Sequence, residues 1–337
     1  MSRIVFLFTN DKSKLIADVK GGRDADTALH GLNHVPAADY LVVHPTALSS
    51  LAFVPRLLTY DFVLTQDHLF LGYVVSAVAR LLRRKTKWLY FTMTASILVK
   101  KHANHFWRLA LLKLFWRSYA CIICITSEQK KDLIACGVAP RRLVFIPFPI
   151  DANFFTKLKA TEEDFVVSVG RDAARDYPTL IRAAEHTQEK ITIACAPHNI
   201  PSGLSIPSNV TVRHDAGLVE VRDLYARCRL VTVVSKNFNE PVGSDCSGQT
   251  VILEALAVGK PVIATYRPWI IDYFIPGEDL IVVEPGNPEA LAEAITALAR
   301  DPEKRARLAE RGRAKVFAHY TTKIFTASLT RLLETLS

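Results

Sequence analysis

Apolar residues follow an alternating rhythm along this chain: short, nearly continuous hydrophobic runs separated by longer stretches in which hydrophobic positions recur at helical spacing. The runs predict strands at 3–8, 40–44, 61–64, 88–92, 120–125 and 144–146. A proline-punctuated break, Pro147-Phe-Pro-Ile-Asp-Ala-Asn153, then interrupts the rhythm. Beyond it a second cycle predicts strands at 165–169, 191–195, 210–213, 230–234, 261–264 and 280–283. Runs that are apolar on both faces, with helices between them, belong to parallel sheets covered on both sides. The expected fold class is α/β, with two Rossmann-like parallel-sheet domains at about 1–150 and 155–320 and a helix at 321–337. Asn287-Pro288-Glu289 marks a capped helix start in the second, with proline at the first helical position.

The stretch richest in chemistry is Cys246-Ser-Gly-Gln-Thr-Val-Ile-Leu-Glu-Ala-Leu-Ala-Val-Gly-Lys-Pro-Val-Ile-Ala264. Ser247 and Gly248 open a helix, Val251, Leu253, Leu256 and Ala257 give it apolar spacing, Gly259 closes it, and 261–264 is a buried strand. First-turn N–H groups have no partner inside a helix and sit at the positive end of its dipole. Gly248, Gln249 and Thr250 therefore offer donors to a phosphate, which the small Ser247 and Gly248 let come close. Glu254, one and a half turns on, is placed to accept hydrogen bonds from sugar hydroxyls. A second loop, Val169-Gly170-Arg171-Asp-Ala-Ala-Arg175, follows a buried strand and carries two cations. Its plainer reading is a solvated loop with two surface arginines.

Composition narrows the class. Of the 337 residues half are hydrophobic, which excludes a disordered chain. Through residue 158 there are 21 Lys/Arg against 10 Asp/Glu, so the whole positive excess lies in the first half. No acidic residue occurs between Asp67 and Glu128, where Arg80, Arg83, Arg84, Lys85, Lys101 and Arg108 all lie. A field of one sign attracts phosphate-rich surfaces, anionic lipid or nucleic acid. The cysteines are scattered in apolar runs and read as reduced core residues of a cytosolic protein, and Cys121-x-x-Cys124 has no second pair to complete a zinc site. The first apolar run is too short for a signal-peptide core, and no uncharged run is long enough to span a bilayer.

The run from Glu240-Pro-Val-Gly243 through Leu253-Glu254 to Ala264 resembles the donor-nucleotide motif of retaining GT-B glycosyltransferases, family 4. The resemblance implies two domains facing a cleft, a C-terminal helix crossing back onto the first, and retention by front-face transfer. It also implies a nucleotide-diphosphate sugar as co-substrate, with no further cofactor and no metal. The Gly170 loop is similar to the family's Gly-Arg…Lys loop, so Arg171 and Arg175 would hold the donor diphosphate with Ser247, Gly248, Gln249 and Thr250. Glu254 would hold the donor's ribose or sugar. The family's first glutamate falls on Cys246, a departure that leaves Glu240 or Asp245 as substitute carboxylates, or as ordinary loop acids. Cys246 itself reads as a residue that shapes the pocket, or as a thiol activated at a helix start.

In the first domain the family's usual histidine after the 88–92 strand is replaced by Met93. Gln66-Asp67-His68, after the preceding strand, is the nearest substitute; Asp67 and His68 would orient or deprotonate an acceptor hydroxyl, or else only start a helix. Asn10 and Asp11, after the first strand, also suit a ligand-facing position. Thr126-x-x-Gln129 reads as a capping box. A wheel over 101–119 gathers Lys101, His105, Arg108, Leu109, Leu112, Trp116 and Tyr119 on one side, a combination suited to a membrane interface, with Ala103, Phe106, Ala110 and Leu114 toward the core. The plainer reading is a core helix with snorkelling basic edges. The expected surface for membrane and acceptor is Arg83, Arg84, Lys85, Lys101, Arg108 and Trp116, with the protein peripheral on the cytoplasmic face and the acceptor a saccharide or lipid-linked saccharide. No recognisable nucleic-acid module is present. Two rivals stand beside a transferase: a non-catalytic protein of this fold that binds nucleotide sugar or a partner, and a basic nucleic-acid-binding α/β protein.

Overall fold

A computed structural model describes residues 2–44, 48–66, 68–156, 158 and 160–337. All twelve predicted strands are present, within two residues at each end. Contacts divide the chain into two compact units, one of residues 1–21, 26–148 and 322–337, the other of 22–25 and 149–321.

The first unit is a six-stranded sheet in the order β2-β1-β3-β4-β5-β6, every pair parallel. Its strands are β1 (Ile4–Phe8), β2 (Asp39–Val42), β3 (Phe62–Thr65), β4 (Lys87–Thr92), β5 (Cys121–Cys124) and β6 (Leu143–Phe145). Its helices are α1 (Ser13–Lys20), α2 (Val54–Leu57), α3 (Leu69–Leu81), α4 (Ala95–His102), α5 (Phe106–Ser118) and α6 (Ser127–Ala135). The order reverses between β1 and β3, and such a switch point opens a crevice outside the strands' carboxyl ends. At the start of α6, Thr126 accepts from the Gln129 N–H as expected of a cap. The reciprocal bond runs to Ile125 N–H, and Gln129 also donates to the Thr92 carbonyl, tying β4 to β5.

The amphipathic reading of 101–119 needs correction, because its large apolar positions change faces while Lys101, His105 and Arg108 stay exposed as expected. Trp116 and Tyr119 are fully buried, Leu109, Leu112 and Phe115 pack on the core, and the Tyr119 hydroxyl donates to the Leu69 carbonyl at 2.6 Å. Phe106 and Leu114, expected inside, are exposed. The reason is area: the Trp116 and Tyr119 rings fill the layer between helix and sheet, where the other stripe offers two alanines beside Phe106 and Leu114. Trp116 is therefore a core residue and leaves the proposed membrane surface.

The second unit is also six parallel strands, ordered β12-β11-β10-β7-β8-β9. They are β7 (Val166–Gly170), β8 (Ile191–Cys195), β9 (Val210–His214), β10 (Leu230–Val233), β11 (Val262–Thr265) and β12 (Ile281–Val283). Helices α7 (Tyr177–Ala184), α8 (Leu218–Arg227), α9 (Gln249–Val258), α10 (Ile270–Tyr273), α11 (Pro288–Ala299) and α12 (Pro302–His319) connect and cover them. Asn287 caps α11 through the Ala290 N–H at 2.9 Å, and Gly259 ends α9 in the left-handed conformation, both as the sequence predicts. Here the order reverses between β7 and β10. The last helix, α13 (Thr322–Leu336), belongs to the first unit, where Phe325 sets its ring edge-on to Phe91.

Candidate functional site

The loops after β7 and β10, the two strands at the second unit's switch point, bring the predicted residues together. Gly170 ends β7 at φ 148, and a Cβ there would collide with the Arg175 guanidinium. Gly248 precedes α9 at φ 91; a Cβ there would stand 2.6 Å from Val233 Cγ1 and 3.0 Å from Arg175 Nη1. Two glycines thus make the slot in which Arg175 lies against the start of α9. No side chain caps that helix, but the Gln249 N–H is already taken by the Cys246 carbonyl at 2.9 Å and is not among the donors open to an anion.

Unpartnered polar atoms gather there. Arg175 is buried, yet its Nε and Nη1 have no hydrogen-bond partner. The same holds for Ser247 Oγ and for both amide atoms of Gln249. Buried polar groups are almost always paired, and an orphan normally marks a missing ligand or water. Several orphans around one helix start form a cradle for a polar, negatively charged group.

Glu254 lies behind this cradle, buried, accepting from the Tyr225 hydroxyl at 3.2 Å. Burial pushes its carboxyl up to about 8, against partial opposition from Tyr225 and the Arg175 charge. Arg171 is not brought in: it is exposed, donates to the Ala216 carbonyl at 3.0 Å and lies 3.8 Å from Asp215. Thr250 is half-buried on the first turn, and Glu240 is an exposed loop residue. Asp245 and Cys246 are buried beside the helix start. Burial, reinforced by Asp245, raises the Cys246 thiol well above its ordinary value, so the reading as an activated thiol is withdrawn.

Two residues of this unit escaped the sequence reading. Arg267, just past β11, is buried over the Phe238 ring and donates to the carbonyls of Lys236, Ser244 and Asp245 at 3.0, 3.2 and 3.4 Å. It staples the loop that delivers Gly248. Its sequence signal was an arginine two residues past a buried strand. Tyr225 was hidden in the ordinary helical run of α8.

In the first unit, Asp67 lies outside the described residues. His68 is buried with both ring nitrogens occupied: Nε2 donates to the Val43 carbonyl at 2.5 Å, which leaves Nδ1 to accept from the Thr65 hydroxyl at 2.7 Å. That is a structural pin at the start of α3, and a proton-accepting role for His68 is corrected accordingly. The imidazole that faces the strand ends is His30, which the sequence reading missed for want of any motif. It stands at φ 51 with its ring stacked on Phe8 at 6.1 Å and tilted on Phe91 at 5.4 Å. His30 hydrogen-bonds Gln66, whose amide contacts Met93, and burial followed by the Lys12 charge pulls it down to about 4. Asp11 is turned to its own helix, accepting from the Ser13 N–H and hydroxyl.

Comparison with known proteins agrees with this layout. Residues 5–154 match the profile described as Glycosyltransferase Family 4, and residues 175–329 match the one described as Glycosyl transferase-like. The chain belongs to the GT-B glycosyltransferases. Within that family it is 32% identical over 100 residues to the lipopolysaccharide core biosynthesis glycosyltransferase LpsE of Rhizobium meliloti; the match spans 30% of this chain and 28% of LpsE. The structure of HepE from Anabaena, solved with UDP-glucose, superimposes with a TM-score of 0.77 at 17% identity, covering 99% of this chain and all of HepE. The lipopolysaccharide outer core galactosyltransferase WaaB superimposes with a TM-score of 0.65 at 12% identity, covering 99% of both chains. The switch-point cradle lies in the second of the chain's two units, beside the buried thiol of Cys246.

Proposed function

We propose that this protein transfers a sugar from a nucleoside-diphosphate donor to a hydroxyl of a saccharide acceptor carried on a lipid, with retention at the transferred carbon and without a metal. The observation that carries the reading is the set of unpartnered buried atoms on Arg175, Ser247 and Gln249 around an uncapped helix start. A diphosphate would accept from Arg175, the Ser247 hydroxyl and Gln249 Nε2, while Gln249 Oε1 would accept from a donor hydroxyl, and the phosphate oxygens would face the positive end of the α9 dipole. Glu254, largely protonated at neutral pH, can both accept from and donate to ribose or sugar hydroxyls. HepE was solved with UDP-glucose, which favours uracil as the base, and LpsE and WaaB take part in lipopolysaccharide core assembly, which favours a lipid-borne saccharide.

In the proposed step the bond from the sugar's anomeric carbon to the diphosphate oxygen breaks. The acceptor oxygen bonds to that carbon on the same face, and its proton leaves on the departing diphosphate. Arg175 and the α9 N–H groups stabilise the charge that grows on the leaving group. Arg267 fixes the loop that holds those groups in place. Acceptor orientation falls to His30, whose neutral ring suits a hydroxyl.

A second reading rests on Cys246: with no carboxylate at that place, the same cradle would bind nucleotide sugar without turning it over. A thermal-shift panel of UDP, GDP, ADP, CDP and TDP, each with EDTA or Mg²⁺, tests the first claim. One or two of these at about 100 times Kd should raise stability by about 2.7 kcal/mol, a shift of about 5 °C or more, in EDTA. No response to any nucleotide would sink the donor site, and binding with intact donor after long incubation with acceptor lipid extracts would favour the second reading.

A further inference from the structure

The change of face by the large apolar positions of the 101–119 region leaves the outward stripe of α5 unpartnered within its unit. Phe106 is 74% exposed, Trp107 80%, Leu111 54% and Leu114 47%. Such large side chains at one-turn spacing on a single helix form an apolar strip that water does not favour. Lys101 and Arg108, both exposed, stand at the same end, and the chain supplies no acidic residue from 68 to 127 to oppose them. Two rings, two long aliphatics and flanking cations in a field of one sign match an interface with aromatics among headgroups and cations on lipid phosphates.

Topology places this strip. Because α4 follows β4 and α5 leads into β5, the turn between the helices lies at the carboxyl edge of the sheet. Arg83, Arg84 and Lys85, between the end of α3 and the start of β4, lie at the opposite, amino edge. The basic region is therefore two patches, and only the one at Lys101 and Arg108 shares its edge with the aromatic strip and with the His30, Gln66 and Met93 loops.

We propose that the protein docks on anionic bilayers through the outward face of α5, with Phe106 and Trp107 inserted and Lys101 and Arg108 on lipid phosphate. Docking in this way turns the carboxyl edge of the first sheet to the membrane, where a lipid-borne acceptor presents its hydroxyls. The inference deepens the acceptor half of the proposed function and is independent of the donor cradle.

The test is co-sedimentation with vesicles of phosphatidylcholine containing about one third phosphatidylglycerol, at about 0.15 M salt, with UDP binding measured on the same samples. The wild type should sediment, and F106S/W107S should lose affinity by about tenfold or more with melting temperature and UDP binding unchanged. K101E/R108E should weaken binding in a salt-dependent way, while R83E/R84E/K85E should change it by less than about threefold. The proposal is overturned if the wild type ignores these vesicles while binding UDP, or if the triple reversal releases it as fully as the aromatic pair. Sedimentation equilibrium showing a dimer that F106S/W107S dissolves, without vesicle binding, would assign the strip to a second copy instead, and preferential capture of oligonucleotides would assign it to nucleic acid.

Discussion

The carboxyl edges of the two sheets are built on the same plan and finished differently. In the second unit the loops at the switch point leave Arg175, Ser247 and Gln249 with unpartnered atoms held by glycine geometry and by Arg267. In the first, two of the candidates are already engaged: His68 is pinned at both nitrogens, and Asp11 accepts from the Ser13 N–H and hydroxyl. The difference teaches how to separate ligand groups from scaffold. Several unsatisfied polar atoms clustered around one helix start point to a ligand, whereas polar atoms with full partner sets point to the fold.

The largest expected effect comes from Arg175→Ala, which should weaken UDP binding by about 10- to 150-fold. Since the arginine is a buried charge without a full partner set, the same change should leave the free protein's melting temperature unaltered or higher. A drop in the melting temperature would make Arg175 scaffold and dissolve the contrast.

Next comes the pair of histidines. His68→Gln should cost about 1–3 kcal/mol of stability by orphaning Val43 and Thr65. His30→Gln should leave stability and UDP binding alone and lower transfer by about 10- to 100-fold. If the two variants behave alike in melting and transfer assays, the separation of pin from acceptor group fails.

Glu254 gives a pH signature of similar size. Its folded carboxyl titrates at about 8 against an ordinary 4.5, so between those values the native state holds a proton that the unfolded chain has released. Stability must then fall as pH rises through that window, by up to about 1.4 kcal/mol per pH unit, and Glu254→Gln should flatten the slope. An equal slope in both proteins would show that the carboxylate is solvated. The smallest effect belongs to Arg171→Ala, expected to change UDP affinity by less than about threefold because the side chain is exposed and turned to Ala216.

The fold was legible in the sequence because β-runs such as 191–195 and 230–234 are apolar on both faces, a pattern few other structures allow. The α9 start was legible for a similar reason: Ser247-Gly248, helical spacing and Gly259 are local signals. What escaped depends on long-range packing. Nothing local shows that Arg171 turns toward the loop after β9 while Arg175 turns back under Gly248. Arg267 and His30 gain their meaning only from residues distant in sequence, and the inward face of α5 was decided by which rings fill the gap over β4 and β5.

The most direct test is isothermal titration of UDP, in EDTA, into the wild type, Arg175→Ala and Arg171→Ala. The account predicts clear binding by the wild type, nearly the same by the Arg171 variant, and a loss of about tenfold or more for Arg175→Ala. Equal affinity for the wild type and Arg175→Ala would contradict it, since the unpartnered cradle at the start of α9 would then not be the place where the diphosphate binds.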